Sequence, residues 1–214
     1  MILLSDPRVA AVPADDCGEE LTDLRQIGDL FANDSNGGHS CTSTLVRKEL
    51  ATRLLDAQSR LPDGIRLLVA EGYRDLATQG AIFEEYEALL RHAHPDWPGA
   101  RVLTETSKFV APIGVAPHST GGAVDLTLCA PDGAELDMGT PLDATPEASG
   151  DACFTAAERI SARARENRQL LSGVLGGVGL VNYPTEWWHW SYGDRYWALL
   201  TGAPAAIYGP VTLP

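Results

Sequence analysis

The residues that could do chemistry fall into three short runs. His118 opens the run His-Ser-Thr-Gly-Gly-Ala-Val-Asp125, and Glu186-Trp-Trp-His189 closes on a second imidazole. Each of these two runs pairs an imidazole with a carboxylate, the groups that a metal ion and a general base both call for. Gly121 and Gly122 permit a tight turn that could fold His118 back beside Asp125 on the following strand. Their nitrogen and oxygen could then share one zinc at about 2.0–2.2 Å. A catalytic zinc takes three protein ligands and leaves a place for water, and His189 is the best candidate for the third. Glu186 is the candidate general base. It lies three residues before His189, so an extended chain would turn the two to opposite faces. A turn or bulge between them is therefore required. Arg74, at the end of an apolar strand and just before a helix, could hold a developing oxyanion with fixed donors.

Each of these residues also has a plain structural reading. A histidine taken alone is more often structural than a ligand. Asp125 could cap a strand end, and Arg74-Asp75 could be a helix-start ion pair of small energetic weight. Trp187, Trp188, Trp190 and Trp197 suit a core. His92 and His94 read as an exposed helix end. The joint occurrence of three runs of matching chemistry in one small chain favours the metal reading.

The elements that would position these groups follow from apolar spacing. Residues 1–40 are rich in Asp, Gly and Asn and read as a strand or two joined by turns, ending in Asn36-Gly-Gly-His39. Leu45, Leu50, Leu54 and Leu55 predict an amphipathic helix from Thr44 to Leu61, capped by Ser43 or Thr44. Ile65 to Tyr73 reads as a buried strand. A helix from Leu76 to His92 follows, its apolar face formed by Ile82, Phe83, Tyr86, Leu89 and Leu90. Val110 to Pro117 is a proline-rich loop. Ala123 to Leu128 alternates as a strand, and 132–150 is a long turn-rich segment of the kind that often carries function. A helix over 155–171 is closed by Gly173, Gly176, Gly177 and Gly179. Glu186 to Tyr192 suits a strand, and Asp194 to Leu200 a last helix. Helices and strands come in separate groups, which predicts an α+β fold: a small single domain spanning 1–214, with a central antiparallel sheet flanked by helices.

Composition sets the outer limits. The chain has 214 residues, enough for one sizeable core. Its formal net charge of −13 repels phosphate backbones and excludes nucleic acid as a natural partner. No apolar run approaches the length of a membrane span. The start lacks a basic leader, so a cytoplasmic protein is expected. Cys17, Cys41, Cys129 and Cys153 lie far apart without a CxxC pair, and are expected to be reduced thiols rather than zinc ligands or disulfides.

These runs resemble the zinc D-Ala-D-Ala peptidases, the M15 family. Pro117-His-Ser-Thr-Gly-Gly-Ala-Val-Asp125 is similar to that family's S-x-H-x-x-G-x-A-x-D signature, and Glu186-Trp-Trp-His189 to its E-x-W-H signature. Glu71-Gly-Tyr-Arg74 resembles its G/A-Y-R element. Asp137-Met-Gly-Thr-Pro-Leu-Asp143 resembles the D-x-G-x-x-F-D segment of the VanX-type D-alanyl-D-alanine dipeptidases. The four matches run from residue 71 to 190 in family order. The resemblance implies a Hedgehog/DD-peptidase-like fold and one Zn2+ per chain on His118, Asp125 and His189. It implies Glu186 as base, Arg74 as stabiliser of the tetrahedral intermediate, and Asp143 as a holder of the dipeptide's amino group. Trp188 would wall the substrate pocket, together with other tryptophans. Ala116 stands where the family has a serine near the substrate, a departure that bears on substrate preference. The implied substrate is a small dipeptide, D-alanyl-D-alanine first. A D,D-carboxypeptidase acting on peptidoglycan stem peptides and a non-catalytic zinc-binding module of the same fold are the alternatives. A homo-oligomer stays open.

Overall fold

The computed structural model describes residues 1–28, 30–32 and 44–213. In chain order the elements are α1 (Pro7–Ala11), β1 (Leu21–Asp23), β2 (Phe31–Ala32), β3 (Leu45–Arg47), α2 (Lys48–Ser59), β4 (Arg66–Glu71), α3 (Leu76–Ala93), α4 (Gly99–Thr106), β5 (Ala123–Cys129), α5 (Pro146–Ser149), α6 (Ala162–Gly177), β6 (Val181–Asn182), β7 (His189–Ser191) and α7 (Arg195–Thr201). Five strands form one sheet in the order β2-β4-β5-β7-β6, and β1 pairs with β3 in a separate ribbon. Only β2 runs parallel to its neighbour; the other pairings in the large sheet are antiparallel. The expected α+β architecture holds, with one parallel edge.

β5 lies at the centre of this sheet and all seven of its residues are buried. Alternation still operates, but both faces are covered. Val124, Leu126 and Leu128 join Leu67 and Val69 of β4 in the main apolar cluster, with Leu50 and Leu54 of α2 and Leu171 and Leu175 of α6. The residues between them, Ala123, Asp125 and Thr127, turn to the opposite face. That second face carries the polar groups described below.

Several element boundaries differ from the spacing-based expectation. The helix expected from Thr44 begins at Lys48, because Leu45–Arg47 pair with Leu21–Asp23 as β3. Its N-cap is Arg47, without a side-chain cap bond. The Thr44 hydroxyl instead donates to Asp23 Oδ1 at 2.9 Å. Ser43, Cys41 and the Asn36–His39 turn lie outside the described residues. α3 starts as expected, with the Asp75 carboxylate accepting from the Thr78 N–H at 2.9 Å. Leu89, however, is 59% exposed and leaves its apolar face. The helix expected over 155–171 runs instead from Ala162 to Gly177, capped by Ser161. Gly173 lies inside it on the exposed side, while Leu171, Val174 and Leu175 continue the buried stripe. Gly176 and Gly177 are its last two residues and Gly179 follows in the left-handed region at φ 86, so these three glycines do close it. α1 and α4 were not anticipated. The strand expected over 186–192 shortens to His189–Ser191, preceded by a turn. Cys17, Cys129 and Cys153 are free thiols, as expected.

Candidate metal centre and substrate cavity

Asp125 on β5 and His189 on β7 are directly opposite each other in the antiparallel ladder, and Glu71 on β4 faces Asp125 from the other side. Cross-strand partners share a face, so these three side chains form one row across the polar face of the sheet. His118 joins them from the turn before β5. That turn is a single 3-10 turn, His118–Thr120, ended by Gly121 at φ 69 in the left-handed region. A Cβ at Gly121 would collide with the Leu21 side chain, and one at Gly122 would sit 2.6 Å from the Tyr192 carbonyl. Gly121 is thus required by both conformation and space, and Gly122 by space.

The donor atoms converge. His189 Nδ1 is 3.0 Å from Asp125 Oδ1. His118 Nε2 is 3.3 Å from Asp125 Oδ2 and 3.1 Å from His189 Nδ1. Three ligands of one tetrahedral zinc at about 2.0–2.2 Å would stand roughly 3.3–3.6 Å apart. The observed spacing is slightly tighter, and a small outward movement fits the ion. The other nitrogen of His118, Nδ1, donates to the Gly72 carbonyl at 2.6 Å, which leaves the Nε2 lone pair facing the site. The donor set of two imidazoles and one carboxylate, all buried, suits a divalent transition metal.

Glu186 reaches the same place through the turn that separates it from His189. The His189 N–H donates to the Glu186 carbonyl at 3.3 Å. Asn182 Nδ2 donates to both the Glu186 and His189 carbonyls at 3.0 Å, holding the turn closed. Glu186 Oε2 then lies 3.9 Å from His189 Nδ1. The turn that the sequence spacing demanded is present. Asn182 was missed by sequence reasoning, because an asparagine in a two-residue strand carries no distinguishing signal.

Arg74 is fixed by a fork. Its Nε donates to Glu71 Oε1 at 2.7 Å, its Nη2 donates to Glu71 Oε2, and its Nη1 donates to Gln79 Oε1 at 3.0 Å. Its partner is Glu71 rather than Asp75, which serves the helix cap. Gln79 is 1% exposed and its Nε2 donates to the Ala111 carbonyl at 2.7 Å. The Arg74 N–H also donates to the His118 carbonyl at 3.3 Å, so the arginine run and the first histidine run are joined through their backbones. The guanidinium pKa stands above its ordinary value. Burial opposes this, and the hydrogen bond and charge of Glu71, together with the charges of Asp125 and Asp143, outweigh it.

All these groups open onto one cavity of about 260 Å3. Its lining combines the polar Glu71, Arg74, His118, Asp125, Asp143, Glu186 and His189 with apolar residues that include Leu4, Ile82, Phe109, Val110, Tyr183 and Trp188. Trp188 is the sole tryptophan in this wall among the described residues. Trp187 and Trp190 belong to the main core, so the expected cage of tryptophans is replaced by other apolar side chains. Ala116 is 3% exposed and packs in a separate apolar cluster, while its neighbour Pro117 lines the cavity. Asp143 sits in the left-handed region at φ 58, which an aspartate tolerates better than most residues.

Electrostatically the cavity is overloaded with negative charge. Burial raises the Glu186 pKa well above the ordinary range, and the charges of Asp125 and Asp143 raise it further. Asp143 is exposed as a residue, but its carboxyl lines the cavity, and loss of solvation there, then Asp125 and Glu71, push it up to about 6, with Arg74 and His118 partly offsetting them. A bound dication would relieve this repulsion. Among the described residues, this is the cluster that brings His and Asp donors together for a metal. No helix among those residues is long and apolar enough to cross a membrane.

Comparison with known proteins agrees with the geometry. Residues 36–200 match the family model of the M15 peptidases, described as D-ala-D-ala dipeptidase. The chain is 28% identical over 218 residues to a D-alanyl-D-alanine dipeptidase of Synechocystis sp., covering 88% of this chain and 87% of that protein. It is 30% identical over 174 residues to the D-alanyl-D-alanine dipeptidase of Enterococcus faecium, covering 78% and 82%. The same named enzyme of Escherichia coli K12 is 30% identical over 147 residues, covering 68% and 65%.

Proposed function

This chain belongs to the M15 peptidase family of D-Ala-D-Ala dipeptidases, and on that premise we propose that it hydrolyses a small dipeptide, D-alanyl-D-alanine first, using one zinc ion held by His118, Asp125 and His189. The observation that carries the reading is the placement of a second buried carboxylate, Glu186, 3.9 Å from a nitrogen of that ligand set and inside the same cavity. Zinc, when bound, supplies Lewis acidity toward the scissile carbonyl and makes water acidic enough to attack near neutral pH.

The remaining work falls to the chain's own side chains. Glu186 Oε2 takes a proton from the attacking water and passes it to the nitrogen of the leaving amine. Without the ion, burial raises its pKa; a bound dication lowers it and leaves the carboxylate able to accept the proton. Arg74 uses three of its five N–H donors on Glu71 and Gln79. The remaining two can face the oxygen on which negative charge develops. Glu71 and Gln79 hold that guanidinium still, so little reorganisation is needed as charge appears. Asp143 offers its carboxylate to the substrate ammonium. Trp188 and the other apolar walls exclude water from the polar row.

A cavity of 260 Å3 is below the range of about 300–1,000 Å3 usual for drug-sized ligands. That size favours a free dipeptide over a peptidoglycan stem peptide. The base and the fixed arginine favour chemistry over a zinc-binding module. Free thiols at Cys17, Cys129 and Cys153 suit a reducing compartment, which supports a cytoplasmic location. The deciding experiment measures metal content together with hydrolysis of D,D-, L,D- and L,L-dipeptides and an acylated D,D-tripeptide. Zinc at one per chain with selective cleavage of D-alanyl-D-alanine is expected. A metal-loaded protein that cleaves none of the panel would overturn the reading.

A further inference from the structure

Leu4 is remote in sequence from every motif, yet its side chain is part of the cavity wall and is 3% exposed. Met1 is 76% exposed, while Ile2 and Leu3 are half-buried and pack against the apolar cluster that contains Leu4. The segment is thus a packed layer of which Leu4 reaches the cavity.

This layer is pinned rather than draped. The Leu4 N–H donates to the Tyr183 hydroxyl at 3.1 Å, and that hydroxyl donates to the Ser107 carbonyl. Tyr183 is itself a wall residue, and its ring stands edge-on to His189 with centroids 6.0 Å apart. The Tyr196 hydroxyl donates to the Ile2 carbonyl at 3.0 Å, and Arg195 Nη1 donates to the Ala10 carbonyl at 2.9 Å. Around Leu4 the packing is apolar, with Val9, Ala111 and Val115 in the same cluster. A third peptide unit entering here would displace Leu4 and break the Leu4–Tyr183–Ser107 chain. It would also bury an amide with no partner, which is costly.

We propose that Leu4, held in place by Tyr183, determines specificity by closing one end of the substrate cavity, so that two residues fit and three do not. The inference rests on the dipeptidase reading and adds to it the device that limits substrate length.

The test compares kcat/KM for D-alanyl-D-alanine, tri-D-alanine and N-acetyl-D-alanyl-D-alanine in the wild type, Leu4→Gly, Leu4→Trp and Tyr183→Phe, with zinc content and Tm measured for each. In Leu4→Gly the ratio of the better longer substrate to the dipeptide should rise about tenfold or more, and Tyr183→Phe should move it the same way. Leu4→Trp, which fills the cavity, should lower dipeptide kcat/KM by about tenfold or more with zinc content intact. A folded, zinc-loaded Leu4→Gly with the wild-type ratio overturns the proposal. So does a Leu4→Trp enzyme with wild-type dipeptide cleavage, which decides the matter if Leu4→Gly fails to fold. A wild type that cleaves no dipeptide removes the activity itself. A wild type that does so with a ratio insensitive to Leu4 removes only the length limit.

Discussion

Asp125 Oδ1 and His189 Nδ1 stand 3.0 Å apart because residues 125 and 189 are register partners on β5 and β7. The sheet ladder itself sets their separation, and His118 is brought to them by the turn that begins β5. Removing one donor therefore removes a ligand without disturbing the other two. His118→Ala and His189→Ala should each reduce bound zinc to well below one per chain, as measured by elemental analysis after dialysis. Zinc should raise the Tm of the wild type, since a ligand at 100 times its Kd adds about 2.7 kcal/mol. The alanine variants should lose most of that rise.

Glu186 has a different expectation. Glu186→Gln keeps the shape and removes the proton acceptor, so zinc content should stay near one per chain. Turnover should fall by roughly 10²–10⁴, the usual worth of a positioned general base. Single-turnover assays against D-alanyl-D-alanine check this, and wild-type turnover in Glu186→Gln would assign the base elsewhere.

Arg74 depends on the planar fork it makes with Glu71. Lysine keeps the charge but not the fork or the spare donors. Arg74→Lys should lower kcat by roughly 10²–10³, the scale of losing an oxyanion donor. KM and zinc content should change far less. Steady-state kinetics separates these quantities.

Asp143 carries a pH signature. Loss of solvation and its acidic neighbours lift it to about 6, so it is ionised above that pH and protonated below it. A protonated carboxyl no longer attracts an ammonium group. KM for the dipeptide should therefore rise as pH falls through the midpoint, and Asp143→Asn should have a high KM at every pH. A nearby dication lowers a carboxylate pKa. The midpoint followed by carboxyl NMR should thus be near 6 in zinc-free protein and lower after zinc is added.

Arg47 secures the turn that carries His118. It is 2% exposed. Its Nε donates to the Thr120 carbonyl at 2.8 Å, its Nη2 to the Gly209 carbonyl at 3.2 Å, and its Nη1 to the Glu19 carbonyl. Its own N–H donates to the Gly121 carbonyl at 2.8 Å. Arg47→Met leaves buried carbonyls without partners, at about 1–3 kcal/mol each. Urea unfolding should show a loss of a few kcal/mol, and zinc affinity should weaken as the His118 turn loosens.

Some of this was open to reading from residue order. The glycine pair between His118 and Asp125 demanded a tight turn, and the three-residue gap between Glu186 and His189 demanded another. Both are present. α3 was legible from Asp75 onward, because a capping aspartate and a long apolar stripe agree. α6 starts later than expected, at Ala162, and continues past Gly173, because Val174 and Leu175 extend the buried stripe and outweigh the roughly 1 kcal/mol that one interior glycine costs; Gly176 and Gly177 do end it.

The sequence alone determined which groups could share an ion, since imidazole and carboxylate chemistry is a property of residue type and the tight turns are a property of neighbouring residues. Only the tertiary structure decided what surrounds them. The row Glu71–Asp125–His189 exists through register between strands far apart in the chain. Asn182 closes the Glu186 turn from another strand, and Leu4 completes the cavity from the far end of the sequence. Contacts of this kind depend on how separate elements pack, and no local pattern of side chains encodes them.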